Sequence, residues 1–451
     1  MKIGSIILAA GKSTRMKSAL PKVLHPLAGK KMVEYPLEAL TPLSDFPPVV
    51  VVGFEAEKVQ QALGDKAQFA LQDPQLGTAH AVLQAKPLLY GKADTIFVTY
   101  ADMPLLTQQT FQNLLAVHQD NQDTLTFLTL HSEQARGFGR VLRDENDHPV
   151  AIVEESLATP QQLAISELNI GVYCFDAEWL WEALSRIPIS PKGEYFLTDL
   201  LSLAVADGKT VTAVPLKDAG EAIGINNRIH LAEAEAVMRQ RITSSWMLEG
   251  VTILDPATTY IEASVSIGRD TTILPNTYLK GNTIIGENCQ IGPNTLIRDT
   301  QIGCNCNITF AVVEKAIIED DVDIGPFAHL RKGAHLAQGV HMGNFGEIKN
   351  SYLGPGTKMG HFSYIGDATI GSEVNIGAGT ITCNYDGMKK NPTEIGKGAF
   401  IGSDTMLVAP VKLGEGARTG AGAVVTKNIP DYSLAVGVPA RVIRKLDKPD
   451  V

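Results

Sequence analysis

The first residues able to do chemistry close an apolar run, Leu8-Ala9-Ala10-Gly11-Lys12-Ser13-Thr14-Arg15-Met16. Small residues there let backbone N–H groups approach a phosphate, and Lys12, Arg15 and Lys22 can neutralise it. Spacing excludes two familiar phosphate loops. A Walker A loop requires glycine where Ile6 stands, and a dinucleotide fingerprint requires further glycines beside Gly11. A second apolar run, Phe97-Val98-Thr99-Tyr100-Ala101-Asp102, ends in an acid. Such a carboxylate can hold Mg²⁺ over nucleotide phosphates, or simply open the turn before Met103-Pro104. Gln72 with Leu76-Gly77-Thr78 offers amide and hydroxyl groups suited to a base or sugar. Glu154 and Asn169 offer partners for sugar hydroxyls, or are ordinary surface residues.

These residues need a frame. Up to about residue 228, strand-like runs (Ser5–Ala9, Val49–Val52, Thr95–Thr99, Leu125–Leu130, Val172–Phe175, Val211–Val214) alternate with helix-like stretches such as Thr107–His118 and Glu178–Ser185. That pattern predicts an α/β domain with a mostly parallel sheet, whose ligands bind outside the carboxyl ends of the strands. Arg228–Glu249 reads as one helix stopped by Gly250. Beyond it an aliphatic residue returns every sixth position, as in Ile267, Ile273, Leu279, Ile285, Ile291 and Ile297, with a small residue two places earlier. A period of six fits neither helix nor coiled coil; it marks hexapeptide repeats stacked as a parallel β-helix, about 18 residues per coil. The expected divisions are residues 1–228, a helical linker at 229–250, and a repeat domain at 251–451.

The ruler makes one chemical inference of its own. Arg331 and Lys349 each follow a core aliphatic, Leu330 and Ile348, and should stack on adjacent coils. Two cations about 5 Å apart repel unless an anion lies between them, so a sugar phosphate or uridine diphosphate explains the pair better than solvated charge does. Nearby the register slips, at Leu353 and Ile370, with His361 and Tyr364 between the slips. A loop from Ile381 to Lys390 is expected to leave the prism, and such loops usually carry function.

Bulk properties narrow the classes. The 451 residues are 44% hydrophobic and 20% charged, with a net charge of −10, which argues against nucleic acid as the main partner. No apolar stretch is long enough to span a membrane. The five cysteines, Cys174, Cys289, Cys304, Cys306 and Cys383, have no framework spacing; Cys289 and Cys306 fill small-residue slots, and a reducing cytoplasm suits them. A scaffold role for the repeats, or a three-histidine zinc site using His335 and His341, are the rival readings. The latter two fall on adjacent prism faces rather than in one stack.

The combination LAAGKSTRM, LPKVLH, LQDPQLGTAHA, YADMP, GFGRV, IVEE, ELNIGVY, GEYFLTDL and GINNR resembles sugar-1-phosphate nucleotidyltransferases. Joined to a left-handed hexapeptide domain, it resembles the bacterial bifunctional N-acetylglucosamine-1-phosphate uridyltransferase/glucosamine-1-phosphate acetyltransferases over nearly the whole chain. The resemblance implies a Rossmann-like mixed sheet followed by a left-handed β-helix. It implies acetylation of glucosamine-1-phosphate by acetyl-CoA, then uridylyl transfer from UTP to N-acetylglucosamine-1-phosphate; a homotrimer is expected separately, because a solenoid's flat ends and flanks usually associate. By the same resemblance Leu8, Ala9, Ala10, Gly11, Lys22, Gln72, Gly77, Thr78, Tyr100, Ala101 and Asp102 bind the uridine nucleotide. Gly139, Glu154 and Asn169 take the N-acetylglucosamine moiety. Asp102 and Asn226 hold Mg²⁺, and Arg15 and Lys22 neutralise charge during transfer.

In the repeat domain the resemblance makes His361 the general base, and Arg331, Lys349, Tyr364 and Asn375 the sugar-phosphate ligands. Ala378, Asn384, Tyr385, Ser403 and Ala421 line the acetyl-CoA site. Three positions depart from the family pattern. Ser13 and Ala101 replace glycines, so strain is expected wherever those backbones need positive φ. Val438 stands where some relatives carry a basic residue, and Arg441 or Arg444 is expected to supply the CoA-phosphate contact instead.

Overall fold

A computed structural model describes residues 1–12 and 14–448, which divide into two compact units, 1–238 and 239–451. The first unit is built on a nine-stranded mixed sheet. Its strands are β1 (Ile3–Leu8), β2 (Val49–Val52), β3 (Gln68–Leu71), β4 (Thr95–Tyr100), β5 (Leu125–His131), β6 (Gly139–Arg143), β7 (Pro149–Val153), β8 (Glu167–Asp176) and β9 (Val211–Pro215). The main path runs β9-β5-β8-β4-β1-β2-β3, with β6 and β7 as a ribbon on β8. The four valines of β2 are fully buried, as expected of an interior strand covered on both faces.

The sheet is less parallel than the alternation predicts: β8 runs antiparallel to both β4 and β5. Its pairing with β5 breaks between Asn169 and Tyr173, and Gly171 in the break has φ +79°. A bulge of this kind re-aims side chains, and here it lets the Asn169 amide donate to the Tyr173 hydroxyl at 2.7 Å. The ribbon β6–β7 was not legible in the hydrophobic pattern, because its residues are only half-buried.

Helix α1 (Arg228–Leu248) follows the first sheet. Its Ile242 and Trp246 pack on the core of the second unit, and Arg239 lies 4.7 Å from the centre of the Tyr260 ring, a cation–π contact. Gly250, at φ +96°, ends it.

The second unit is a parallel β-helix with three faces of 12, 10 and 9 strands. Face 1 starts at Thr252–Ile253, face 2 at Tyr260–Ile261 and face 3 at Ser266–Ile267. The six-residue aliphatics point inward and are almost wholly buried, for example Ile273, Leu279, Ile291, Ile348 and Leu407 at 0% exposure. Threonines in the small slot turn their hydroxyls to carbonyls, as Thr271 Oγ1 donates to Gly286 O at 2.9 Å. Cys289 and Cys306 occupy the same slot and donate to Gly303 O and Glu319 O, so they behave as core fillers. All five cysteines are free. Corners are turned by asparagine and aspartate in the left-handed region, such as Asp270, Asn288 and Asn305. Gly268 has no such conformation, yet a Cβ there would lie 2.6 Å from Glu287 N in the next coil.

Coils are not uniformly 18 residues. Gln290 pairs with Asn307 and Asn307 with Asp323, and Asn375 pairs with Phe400 across an excursion. That excursion is shorter than the sequence suggests. Ile381–Cys383 stays in face 2 as a strand in register with Met406–Val408. Only Asn384 to Pro392 leaves, because Ile381, Thr382 and Cys383 continue the wall's inward-outward alternation.

Candidate active sites

In the first unit the carboxyl ends of β1 and β4 open on a cavity of about 590 Å³. Leu8, Ala9, Ala10, Gly11, Lys22, Gln72, Gly77, Thr78, Tyr100, Asp102 and Asn226 line it, together with Lys12 and Arg15. β1 and β4 are parallel neighbours with Leu8 opposite Tyr100, so the small-residue loop and the acid are brought side by side. Lys22 Nζ lies 2.5 Å from Asp102 Oδ2 and 3.2 Å from Asn226 Oδ1, while Arg15 donates to the same Asn226 oxygen at 2.9 Å. Two oxygen donors thus converge on one cationic point at the cavity edge.

The base-side wall is locked by a motif the sequence displayed but did not explain. Tyr195 N donates to Leu76 O, Ala79 N to Tyr195 O, and Leu197 N to Thr78 Oγ1. Gly77 has φ +100°, and a Cβ there would stand 2.5 Å from Tyr195 O. The approach of these two segments therefore needs glycine. Glu194 and Phe196 line the cavity as a result, as does Gln75, whose amide donates to Ala10 O at 2.6 Å. Sequence reasoning missed these three, although all lie inside GEYFLTDL and LQDPQLGTAHA.

Four expected sugar or nucleotide contacts sit apart from that lining. Gly139 and Asn169 face each other across β6 and β8. Glu154 follows β7 and accepts from Thr198 Oγ1 at 2.9 Å. Burial raises the Glu154 carboxyl above its usual range, with Asp199 and Glu194 adding to the rise and Thr198 opposing it. Burial, then Tyr173, Glu154 and Asp102, push the Tyr100 phenol well above 10. Tyr100 is therefore held as a neutral phenol between them. Ala101 is fully buried, so its side chain offers nothing to a ligand. The expected strain at Ala101 is also absent, since its φ is not positive and alanine fits without cost. Ser13 lies outside the described residues.

In the second unit the expected residues fall into two columns rather than one cluster. Arg331 and Lys349 are adjacent, in register through Leu330 and Ile348, at the corner between faces 2 and 3. The anion the sequence argument placed between them is not needed for Arg331, whose guanidinium meets Glu347 at 2.8 Å. Lys349 instead meets Lys390 from the excursion. The Lys390 ammonium, with Arg331 adding to it, holds Lys349 below its ordinary lysine value. Asp367, 3.8 Å away, helps keep Lys390 charged. Lys390 is a residue the sequence reading quoted within the loop but gave no role. Asn384 donates to Asp367 Oδ2 at 2.5 Å, and Tyr385 forms an antiparallel backbone bridge with Lys390, so both belong to this corner. Tyr364 points outward on face 2, opposite Glu347.

His361, Ala378, Ser403 and Ala421 form the second column, at the corner between faces 1 and 2. Each follows a face 1 strand and a glycine on successive coils. The backbone stacking is direct: Gly379 N donates to Phe362 O, Asp404 N to Ala378 O and Gly422 N to Ser403 O. His361 is exposed and its imidazole makes no hydrogen bond among the described residues. Asn375 lies on face 1 between Lys358 and Phe400. Within one chain the structure does not bring His361 and Asn375 to Arg331 and Lys349. Four residues separate His361 from Gly366, which pairs with Lys349, and five steps of near-extended chain span about 16 Å.

Arg441 and Arg444 lie on an exposed final strand, Arg441–Lys445, antiparallel to Ser433–Val436, and Val438 before it is exposed. His335 and His341 sit on different faces, 2.7 Å from Glu319 and 2.8 Å from Asp323. Among the described residues no group of three or more His, Cys, Asp or Glu is placed to hold a metal. No helix among them is long and apolar enough to cross a membrane.

Comparison with known proteins covers both units. Residues 5–169 match the MobA-like NTP transferase domain, and residues 264–299 and 392–427 match the bacterial transferase hexapeptide (six repeats). These repeats give the second unit its identity as a left-handed β-helix. The chain is 48% identical to the bifunctional protein GlmU of Heliobacterium modesticaldum, over 96% of this chain and 94% of the relative. It is 46% identical to that of Exiguobacterium sibiricum, over 99% of each. The Streptococcus agalactiae serotype III protein is 44% identical, over 96% of this chain and 95% of the relative. With a nucleotidyltransferase unit, a hexapeptide transferase unit and relatives of this similarity over their full length, the chain belongs to the family of bifunctional GlmU proteins.

Proposed function

We propose that the chain makes UDP-N-acetylglucosamine, a cell-envelope precursor, in two steps on two units. The repeat domain (251–451) acetylates glucosamine-1-phosphate with acetyl-CoA, and the first domain (1–228) transfers UMP from UTP to the product; residues 229–250 link them. The observation that carries the nucleotidyl half is the convergence of Lys22, Asp102, Asn226 and Arg15 at the mouth of the small-residue loop.

In uridylyl transfer a phosphate oxygen of N-acetylglucosamine-1-phosphate attacks the α-phosphorus of UTP, and the bond to pyrophosphate breaks. Backbone N–H groups of Ala10 and Gly11 hold phosphate oxygens, with Ala9 lining the loop beside them, and Arg15 and Lys22 answer the charge that builds as pyrophosphate leaves. Gln72, Gly77 and Thr78 hold the uracil side; Tyr100 borders the sugar; Gly139, Glu154 and Asn169 orient its hydroxyls and N-acetyl group. The Asp102 and Asn226 oxygens suit Mg²⁺, a hard cation that favours oxygen donors, and they already converge on an ammonium. When bound there, Mg²⁺ supplies positive charge to the triphosphate. With a cation held there, the Lys22 ammonium would be released from the carboxylate and could pair with phosphate.

In acetyl transfer the 2-amino group of glucosamine-1-phosphate attacks the thioester carbonyl, the carbon–sulfur bond breaks and CoA leaves as its thiolate, which then takes up the proton that the amine gave to the base. His361, its imidazole free of hydrogen bonds among the described residues, takes the amine proton. Arg331, Lys349, Tyr364 and Asn375 hold the sugar phosphate. Ala378, Ser403 and Ala421 offer a groove along which acetyl-CoA lies, with Asn384 and Tyr385 closing it. The two columns are farther apart than a hexosamine phosphate can reach, which supports a site shared between copies of the chain in a homotrimer. One outward row of face 2, Tyr260, Tyr278, Leu296 and Val312, is apolar or aromatic beside a charged row of Lys280, Arg298 and Glu314, a mixture compatible with such an assembly. The free cysteines and the nature of the substrates support a cytoplasmic setting.

The test is to give the intact protein glucosamine-1-phosphate, acetyl-CoA, UTP and Mg²⁺ and follow UDP-N-acetylglucosamine and CoA. Product formed from N-acetylglucosamine-1-phosphate and UTP, without CoA release from glucosamine-1-phosphate, would reduce the repeats to a scaffold.

A further inference from the structure

We infer that Glu221 is a positioning residue for uridylyl transfer: its buried carboxylate ties the segment carrying Asn226 to the segment carrying Asp102. The inference rests on the reading of Asp102 and Asn226 as the oxygens that hold Mg²⁺, and it names what sets their spacing.

Asp102 has a firm base, because it follows closely on β4. Asn226 has none of that kind. Residues 222–226 belong to no helix or strand, so no ladder of hydrogen bonds fixes where they stand. Before them comes only a single turn, Ala219–Glu221. Yet the Asn226 amide oxygen must stay within reach of the Asp102 carboxylate if one ion is to touch both.

Two ties supply the constraint. Ile225 N donates to Asp102 O at 2.9 Å, which pins the residue beside Asn226. One such bond leaves the segment free to pivot. Glu221 gives the second tie at the other end. Its Oε2 accepts from Thr107 N at 3.0 Å and from the Thr110 hydroxyl at 2.7 Å. Its Oε1 accepts from the Thr107 hydroxyl at 3.2 Å. The stretches 102–107 and 221–225 are therefore fastened to each other at both ends.

Glu221 is 6% exposed, and a carboxylate withdrawn from water is tolerated only where donors surround it. Three donors do so here, at the N-terminal end of the helix Gln108–Asp120, where negative charge is favoured. That helix does not need Glu221 for its own start. The Thr107 hydroxyl already caps it by accepting from Thr110 N. What Glu221 adds is the link to a distant stretch of chain. Removing a group that holds a metal-binding side chain in place typically costs about 10–100-fold in metal affinity or activity.

The experiment measures Kd for UTP by calorimetry on the full-length chain, once with saturating Mg²⁺ and once with EDTA. Hydrogen exchange at the Ile225 amide is followed in the same preparations without metal. The variants are Glu221→Ala, Glu221→Gln, Thr110→Val and Asp102→Asn. In Glu221→Ala the Kd with Mg²⁺ is expected to rise about tenfold, with little change in EDTA, and Ile225 to exchange faster. Glu221→Gln keeps an oxygen for Thr107 N and the Thr110 hydroxyl, so it is expected to behave as the native chain. Thr110→Val removes one bond and is expected to shift both readouts the same way, by less. A lowered Tm in Glu221→Ala with both readouts unmoved overturns the inference. Equal weakening with and without Mg²⁺ overturns it too. Should Glu221→Ala fail to fold, Thr110→Val decides, and native behaviour there overturns the proposal. Asp102→Asn separates the two levels. If it leaves the Mg²⁺ effect intact, the metal reading fails and the inference with it; if it abolishes the effect while Glu221→Ala does not reduce it, only the inference fails.

Discussion

Lys22 holds its ammonium 2.5 Å from the Asp102 carboxylate and 3.2 Å from the Asn226 amide oxygen, spanning residues from three separate stretches of chain. The carboxylate and the amide oxygen are the pair proposed to hold Mg²⁺, so a bound divalent cation would compete with the lysine for the same oxygens. Asp102→Asn removes the charge that settles this competition. Uridylyl transfer is expected to fall about 10²–10³-fold, in the range for losing one preorganised electrostatic partner. Acetyl transfer by the same protein should be unchanged. Steady-state assays of the two reactions, with Mg²⁺ varied, check both.

His361→Ala should show the reverse pattern. Loss of a general base typically costs about 10²–10⁴-fold, and here it should appear in CoA release alone. The structure sharpens the control: His335 and His341 are engaged by Glu319 and Asp323 on other faces, so their alanine variants should keep acetyl transfer.

Lys390 and Lys349 make an alkaline prediction. Lys349 has a pKa below the ordinary 10.5, chiefly because of the Lys390 ammonium, with Arg331 adding to it. It therefore loses its proton earlier than a free lysine as pH rises. One cation fewer faces the phosphate, so KM for glucosamine-1-phosphate should climb on the alkaline side, starting below the normal lysine range. Lys390→Ala removes the main cause and should move that climb to higher pH. It should also raise KM roughly tenfold at neutral pH, the worth of one charge-assisted hydrogen bond.

Glu154 separates stability from activity. Burial raises its folded pKa above the unfolded value, so the ionised form burdens the fold at neutral pH. The sign follows from the raised value. The proton-bound form is favoured in the folded state, and this contribution is present at low pH and lost as pH rises through the raised pKa. Glu154→Gln abolishes the ionisation while keeping an acceptor for Thr198. Its Tm at neutral pH should exceed that of the native chain, measured by thermal unfolding. KM for N-acetylglucosamine-1-phosphate should rise about tenfold, because a neutral amide is the weaker acceptor for sugar hydroxyls.

Arg441→Ala and Arg444→Ala test the last strand. Both residues are exposed beside Val438, where a CoA phosphate contact is expected. At least one variant should raise KM for acetyl-CoA several-fold, as for an exposed charge pair of about 1 kcal/mol, without touching KM for UTP. An unchanged KM for acetyl-CoA in both removes the assignment.

By itself the sequence determined the two architectures and most of the residues of the nucleotide cavity. Periodicity is a local property: a period of six admits one way to bury Ile273, Leu279 and Ile285, and Cys289 and Cys306 were legible as fillers of the same slot. Motif residues such as Gly11, Gln72 and Asp102 were legible because each closes or follows a strand whose end must face the ligand. Tertiary structure decided what depends on contacts between distant segments. The apposition of Tyr195 to Gly77 brought Glu194 and Phe196 into the cavity, and nothing local to either segment announces it. The excursion from Asn384 carried Lys390 onto Lys349, while Glu347 answered Arg331, pairings set by which coil follows which. The separation of His361 from Lys349 had the same origin. A six-residue ruler tells which residues point inward, but register slips and the width of a face decide which corner a functional side chain reaches.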